Sequence, residues 1–420
     1  MSFKSSLPLS IVLSALTASS VYAAEWKVEP GVGLRTQYND NARLRSEEDN
    51  PQGSTAYTLD PRVRLSGEEQ QLWNVSLDTR GKLTRYQDIE NSDSNNIFVA
   101  FGAGYNTERL MWSLNANVDR NTSLDTDFDT ASPDAGLFDD RTERKTVTIA
   151  PSIRWNPGET SVMIFSIQST SVSFDEVRYS NLVDYDNDMA SIQAYWGVSD
   201  NHSLGFTTFY SEQDAPDAGF SSDTTVINLD YTYTLSQSST WKISLGGRRL
   251  NSLRKDGDFL GCETPSIFDG PTSCAFGLPI LGDLEKQDNG AVVNLSYSYD
   301  GERASQYFNA SKNVVSSSTG GVQEVQSSSY SLDFKNTQRF STRLNLSGSK
   351  SVTISGADSS IDVTSYRFEP SISYKLDKNW NLSFLYRHIK QNRIDSNVDS
   401  TSNAVYVNLY FNWPKLATTY

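Results

Sequence analysis

Histidine and cysteine are nearly missing from this chain of 420 residues, with 2 of each. The histidines, His202 and His388, stand far apart. Asp395 and Asp399 follow His388 in sequence, but no catalytic motif frames them, so the chain is not expected to be an enzyme. Cys262 and Cys274 lie close together with no histidine near them, too few ligands for a metal site. The Asp-rich stretches "DTDFDTASPDAGLFDD" and "DYDND" lack the spacing of a calcium-binding EF-hand and read as solvated acid. No metal and no cofactor is expected. Excess positive charge is missing too: the net charge is -15 and the pI about 4.7, which argues against a nucleic-acid partner. Long hydrophobic runs are the last absence. Hydrophobic residues make up 37% of the chain and mean hydropathy is -0.49. Beyond the N-terminal region no stretch approaches the roughly 20 apolar residues that a membrane helix needs. If the mature chain meets a membrane, it must cross as a closed barrel.

The N-terminal region is "MSFKSSLPLSIVLSALTASSVYA". It carries one early charge, Lys4, then an apolar stretch from about Leu7 to Ala18, with Val21 and Ala23 placed as the -3 and -1 residues of a cleavage site. Residues 1–23 are expected to be a secretory signal peptide, leaving 24–420 as one mature domain. In an exported chain, Cys262 and Cys274 are expected to form a local disulfide.

What is present is a period of two. In "VYVNLYFNW", Val405, Val407, Leu409, Phe411 and Trp413 fall on one face, and Tyr406, Asn408, Tyr410 and Asn412 on the other. The pattern recurs in "WKVEPGVGLRTQY", "AYTLDPRVRLSG", "NNIFVAFGAGY", "TVINLDYTYTL" and "YRFEPSISYKL". About 18 such segments can be counted, and no amphipathic helix interrupts them. Short connections such as "EEQQ", "NTER", "SDNH" and "DKN" alternate with longer acidic ones such as "NDNARLRSEEDNPQGS". The 8 tryptophans fall in the apolar phase near the short-turn ends of their segments. Short turns at one end, long loops at the other and an aromatic girdle describe an all-β, antiparallel up-and-down barrel in the bacterial outer membrane. The apolar face of each strand should meet outer-membrane lipid, and the polar face a wet lumen.

The polar phases carry Lys27, Arg35, Arg62, Arg64, Arg80, Lys82, Arg144, Arg154, Lys242, Arg248, Lys335, Arg343, Arg367, Lys375 and Arg387. Against them stand Glu29, Asp60, Asp78, Asp119, Asp230, Asp333 and Glu369. A basic lumen inside an acidic protein follows. Arginine presents a planar fork to carboxylate, phosphate or sulfate, so these residues can form a track for an anionic solute. Arg35, Arg62, Arg64, Arg80, Lys82, Arg154, Arg248, Arg343, Arg367 and Arg387 are the candidate lumen-binding residues. The same pattern can equally supply cross-strand ion pairs that stiffen the wall, as between Asp60 or Asp78 and a neighbouring arginine. The longest connection, about 252–288, is rich in Phe, Leu and Ile and holds both cysteines. It is expected to fold into or over the lumen as a constriction or gate; the alternative is a surface cap or protein-contact loop.

The first hairpin reads "GVGLRTQYNDNARLRSEED". With a leader, "YNDNARL" at the end of the first strand and two-phase strands running to an aromatic C-terminus, the chain resembles the outer-membrane exopolysaccharide-export β-barrel porins, the VpsM-like and WzpX-like export barrels. The resemblance implies an 18-stranded barrel that passes a secreted exopolysaccharide outward. It also implies a periplasmic polysaccharide-export protein and an inner-membrane co-polymerase as partners, and no catalytic residues. The alternative is a general or anion-selective diffusion porin for small solutes.

Overall fold

The computed structural model describes residues 25–419, except 47, 49, 70–71, 90–91, 123–141, 176–181, 263–278, 318–320, 356–361, 395–397 and 415; of 256–262, 279–282, 398 and 416–419 the backbone alone is described. The expected leader, 1–23, lies outside the described residues. The wall is built from β1 (Glu25–Asn39), β2 (Ser54–Glu69), β3 (Trp73–Tyr86), β4 (Ser94–Asn106), β5 (Leu110–Thr122) and β6 (Glu143–Trp155). It continues through β7 (Ser161–Asp175), β8 (Tyr185–Ser199), β9 (His202–Ala215), β10 (Phe220–Ser236), β11 (Ser239–Cys262) and β12 (Pro279–Asp300). It is completed by β13 (Ala304–Ser316), β14 (Val322–Lys335), β15 (Phe340–Ser355), β16 (Asp362–Lys375), β17 (Trp380–Arg393), β18 (Val398–Asn412) and the short β19 (Leu416–Thr419).

From β1 to β18 each strand pairs antiparallel with its neighbour in sequence, and β18 returns to β1 through Gly31↔Asn412 to Asn39↔Ala404. The sheet therefore closes, which leaves no edge to be satisfied within lipid. Strand β19 pairs with Glu25–Val28 of β1. It continues the line of β18 after Pro414, whose ring removes a ladder donor. Eighteen wall positions result, the even number that puts both ends of the mature chain on the short-turn side.

Cross-strand register fixes the faces, because directly opposed residues share one. Leu229, 69% exposed, and Leu34, Val63, Leu245 and Val405 point out to lipid, whereas Tyr406 and Asn408 are buried inside. The two faces of the last strand are thus as its alternation predicts. All eight tryptophans take the outward phase beside the turns of two to five residues, and Trp26 and Trp73 sit 6.0 Å apart there. His202 joins this girdle, stacked 4.8 Å from Tyr233 and bonded to the Tyr231 hydroxyl at 2.7 Å. An apolar outer band, a girdle at its lower rim and a closed polar interior place the chain in the bacterial outer membrane.

At the other end the connections are more varied than their sequences predict. Only four or five residues separate β9 from β10, β13 from β14 and β17 from β18. The largest correction concerns 252–288. Its arms are not loop: β11 and β12 keep pairing as far as Cys262↔Pro279. Its apex, with the Cys262–Cys274 pairing, falls outside the described side chains.

Candidate pore and its constriction

Residues on the inner phase define the lumen. All fifteen basic and all seven acidic side chains named from the polar phases take it in the register. They are unevenly spread. Strands β15, β16, β17, β18, β1, β2 and β3 are consecutive around the wall and bring most of the arginines to one arc. The facing arc, β5 to β10, is lined mostly by hydroxyls and amides, with Arg144, Arg154, Asp119 and Asp230 among them. Examples are Ser113 bonded to Ser152 at 2.6 Å, Ser166 to Ser191 at 2.6 Å, and Thr207 to Asp230 at 2.6 Å.

Cross-strand pairing claims several of the predicted arginines. Arg62 grips both oxygens of Asp78, with Nε at 2.9 and 3.1 Å. Arg80 donates Nε to Asp60 at 2.7 Å and lies 5.9 Å from the centre of the Phe98 ring. Arg343 meets Asp333 at 2.5 Å, and Arg387 meets Glu369 at 2.6 Å. These four arginines thus form cross-strand ion pairs. Arg35 is different. Its Nε donates to the Asn408 amide oxygen at 2.6 Å and its Nη2 to the Tyr410 hydroxyl at 3.3 Å. The Tyr406 ring lies between Arg35, 5.6 Å away, and Arg387, 5.0 Å away. Arg64 stands across from Glu29 and Asp78 in register and ion-pairs with none of the described residues. Lys82 opposes Asn96, Arg367 opposes Ser347, and Arg154 sits near the short-turn rim, bonded to Asn156 at 3.3 Å. The remaining predicted residue, Arg248, belongs to the constriction.

The constriction comes from strands where sequence patterning predicts a loop. The tips of β13 and β14 turn inward. The Gly321 carbonyl accepts Gln213 Nε2 of β9 at 3.4 Å, although β9 is four strands away around the wall. Val322 packs in one apolar cluster with Val172, Phe174, Tyr185, Phe220 and Leu250, inner-phase residues of β7, β8, β10 and β11. Val314 and Ile354 join this cluster although their strand phase is the outer one. The described ends of β13 and β14 lay their outer face on the inner wall of the strands before them, β7 to β11. Arg248 fastens it, reaching Asp288 at 2.8 Å and Glu324 at 2.9 Å.

A second feature was legible only as a motif. "YNDNARL" forms the start of the β1–β2 connection and ties it to β18. Asn41 donates to the carbonyls of Arg45 and Thr401 at 2.7 and 2.8 Å, and Asp40 accepts from the backbone and side chain of Asn403 at 2.7 and 2.8 Å. Leu44 is buried with a positive φ of 50°. The motif sews the first strand to the last where the cylinder closes. His388, on the outer face, bonds Asn403 at 2.8 Å and lies apart from the lumen groups, while Asp399 pairs with Asn392 at 2.6 Å.

No protein-family model and no curated protein matches the sequence. Solved outer-membrane barrels resemble the chain at low identity. A Pseudomonas aeruginosa OccK2 (OpdF) structure in complex with glucuronate is 12% identical, covering 93% of this chain and 98% of that one, with a TM-score of 0.47. A BenF-like porin from Pseudomonas fluorescens Pf-5 is 12% identical, covering 92% and 99%, with a TM-score of 0.45. The unliganded ferric citrate transporter FecA is 10% identical with a TM-score of 0.47; the match covers 87% of this chain but only 60% of the transporter. On its own geometry, the chain is a closed antiparallel outer-membrane barrel around a polar lumen with a basic arc.

Proposed function

We propose that this barrel is a passive pore that exports an anionic exopolysaccharide from periplasm to cell surface. One observation carries the reading: an arginine and tyrosine arc faces an arc of hydroxyls and amides across one lumen. Carboxylated sugars present both chemistries, acid groups for guanidinium and ring hydroxyls for the polar arc. Tyr406 and Tyr410 add aromatic faces beside Arg35. Several weak stations let a chain advance without being trapped. The partners on this reading are a periplasmic polysaccharide-export protein and an inner-membrane co-polymerase, as the sequence resemblance implies. The same arcs favour small anions, so a diffusion porin is the second reading.

Arg35 and Arg64 are the arginines to change, because among the described residues neither is engaged by a carboxylate. In Arg35→Gln/Arg64→Gln the barrel folds, anion selectivity in planar bilayers falls, and secreted polymer drops while its synthesis continues. Reduced selectivity with normal secretion would favour the small-solute porin. Unchanged selectivity and secretion would overturn the basic track itself.

A further inference from the structure

The inward turn of β13 and β14 has a defined origin. The ladder between β12 and β13 runs only from Asp300↔Ser305 to Val293↔Lys312, eight pairs, the shortest between consecutive wall strands. Above it β12 pairs with β11 alone and β13 with β14 alone. The same register, continued upward, would join Val292 to Asn313 and Asn289 to Ser316. Two strand edges that match each other are thus left apart.

We propose that the β13–β14 hairpin is a hinged gate of the pore: it pivots where β12 and β13 part, is latched shut by Arg248, and opens by zipping onto the free edge of β12. Discrete contacts, each replaceable by the zipped ladder, hold the closed arrangement. Arg248, with a side chain only 3% exposed, bridges Asp288 of the wall and Glu324 of the hairpin. Its guanidinium lies over Gly290, where an added Cβ would come within 2.4 Å of Nη1. Gln323, fully buried, donates to Ser317 of the same hairpin at 3.0 Å and accepts from Ser351 of β15 at 2.7 Å, which keeps the hairpin and β15 together as one unit. The end of β15 follows the hairpin, with Ser355 Oγ 2.5 Å from Ser252 Oγ of β11 and the Ile354 carbonyl accepting Lys286 Nζ at 2.6 Å. Packed elements with two discrete pairings are bistable, which is what a gate requires. The inference does not depend on the solute, so its failure leaves the export reading intact.

The test uses the full chain in planar bilayers, with folding checked by the heat-modifiable gel mobility of barrels. Arg248→Gln and Glu324→Gln each loosen the latch and should raise the occupancy of a larger conductance state by about tenfold, as a shifted two-state equilibrium does. Because a latch variant can misfold, a second arm locks the gate. Ser252→Cys/Ser355→Cys, made in a Cys262→Ser/Cys274→Ser background, places thiols where the two hydroxyls already touch, within disulfide reach. Oxidised, this variant should lose the larger state; reduced, it should regain it. Equal conductance in the two redox states of a folded, cross-linked barrel would show that the hairpin is a fixed part of the wall.

Discussion

Changing Asp60 to Asn separates the two roles open to the lumen arginines. The carboxylate is 10% exposed and accepts Nε of Arg80, whose own side chain is 41% exposed. Breaking a fully buried pair costs about 3–5 kcal/mol because a charge is left without a partner. Arg80 is almost half in water, and an exposed pair is worth only about 0–1 kcal/mol. Asp60→Asn should therefore destabilise the barrel by about 2 kcal/mol, between those limits. The comparison is Asp78→Asn. There Arg62 and Asp78 are 53% and 25% exposed, so the loss should stay below about 1 kcal/mol. Urea unfolding followed by tryptophan fluorescence, with Arg80→Gln and Arg62→Gln completing two double-mutant cycles, measures both couplings. Each Asp→Asn change also removes a lumen negative charge and releases an arginine, so anion selectivity should rise while stability falls. Equal costs at the two sites would refute burial as the deciding factor. A zero coupling between Asp60 and Arg80 would refute the wall-stiffening role of that pair.

Two further outcomes follow from the same geometry. Leu229→Arg, on the lipid face of β10, should cost about 2–4 kcal/mol or prevent insertion, whereas Thr232→Arg on the lumen face should cost less than about 1 kcal/mol; refolding into vesicles compares them. In the short turn before β17, outside the membrane, Asp377 accepts the backbone N–H groups of Asn379 and Trp380 at 2.6 and 2.8 Å, which holds its carboxyl below the usual range. A lowered folded-state pKa gives stability that is present above the ordinary carboxylate pKa and fades as pH falls through the lowered one. Asp377→Ala should therefore unfold more easily than the parent at pH 7, and the gap should close in acid.

Much of the wall was legible because the two sides of each strand meet different solvents. Lipid rejects polar side chains and a wet lumen tolerates them, so a period of two survives in nearly every segment, Val405 to Trp413 included. Register then follows, since a slip of one residue would turn Leu409 into the lumen and Asn408 into lipid. The arginines were legible as lumen residues but not as partners. Alternation says that Arg80 and Asp60 share a face; it does not say that they touch. That depends on stagger between strands, and Arg62↔Arg80 are the directly opposed pair. The diagonal neighbours Asp78 and Asp60 lie within reach of the two guanidinium groups and neutralise both.

The inward hairpin was not legible for a related reason. Apolar residues between Arg254 and Asp288 are surplus to a solvated loop, and folding them into the lumen would account for them. Yet that segment's arms pair with each other, and the strand ends that enter the lumen, "NVVS" and "VQEV", are ordinary to read. Their phase is correct for a wall strand: Val314 and Glu324 would face outward if β13 stayed beside β12. Alternation reports which side of a ribbon is apolar, not which side of the barrel the ribbon occupies. Once β13 leaves β12 above Val293, the outer face of the hairpin becomes the face laid on the inner wall. Val314 and Val322 then find Phe220 and Leu250, and Glu324 finds Arg248. One sequence satisfies both placements. That is why the pattern could not choose between them, and why a hairpin of this composition can move between them.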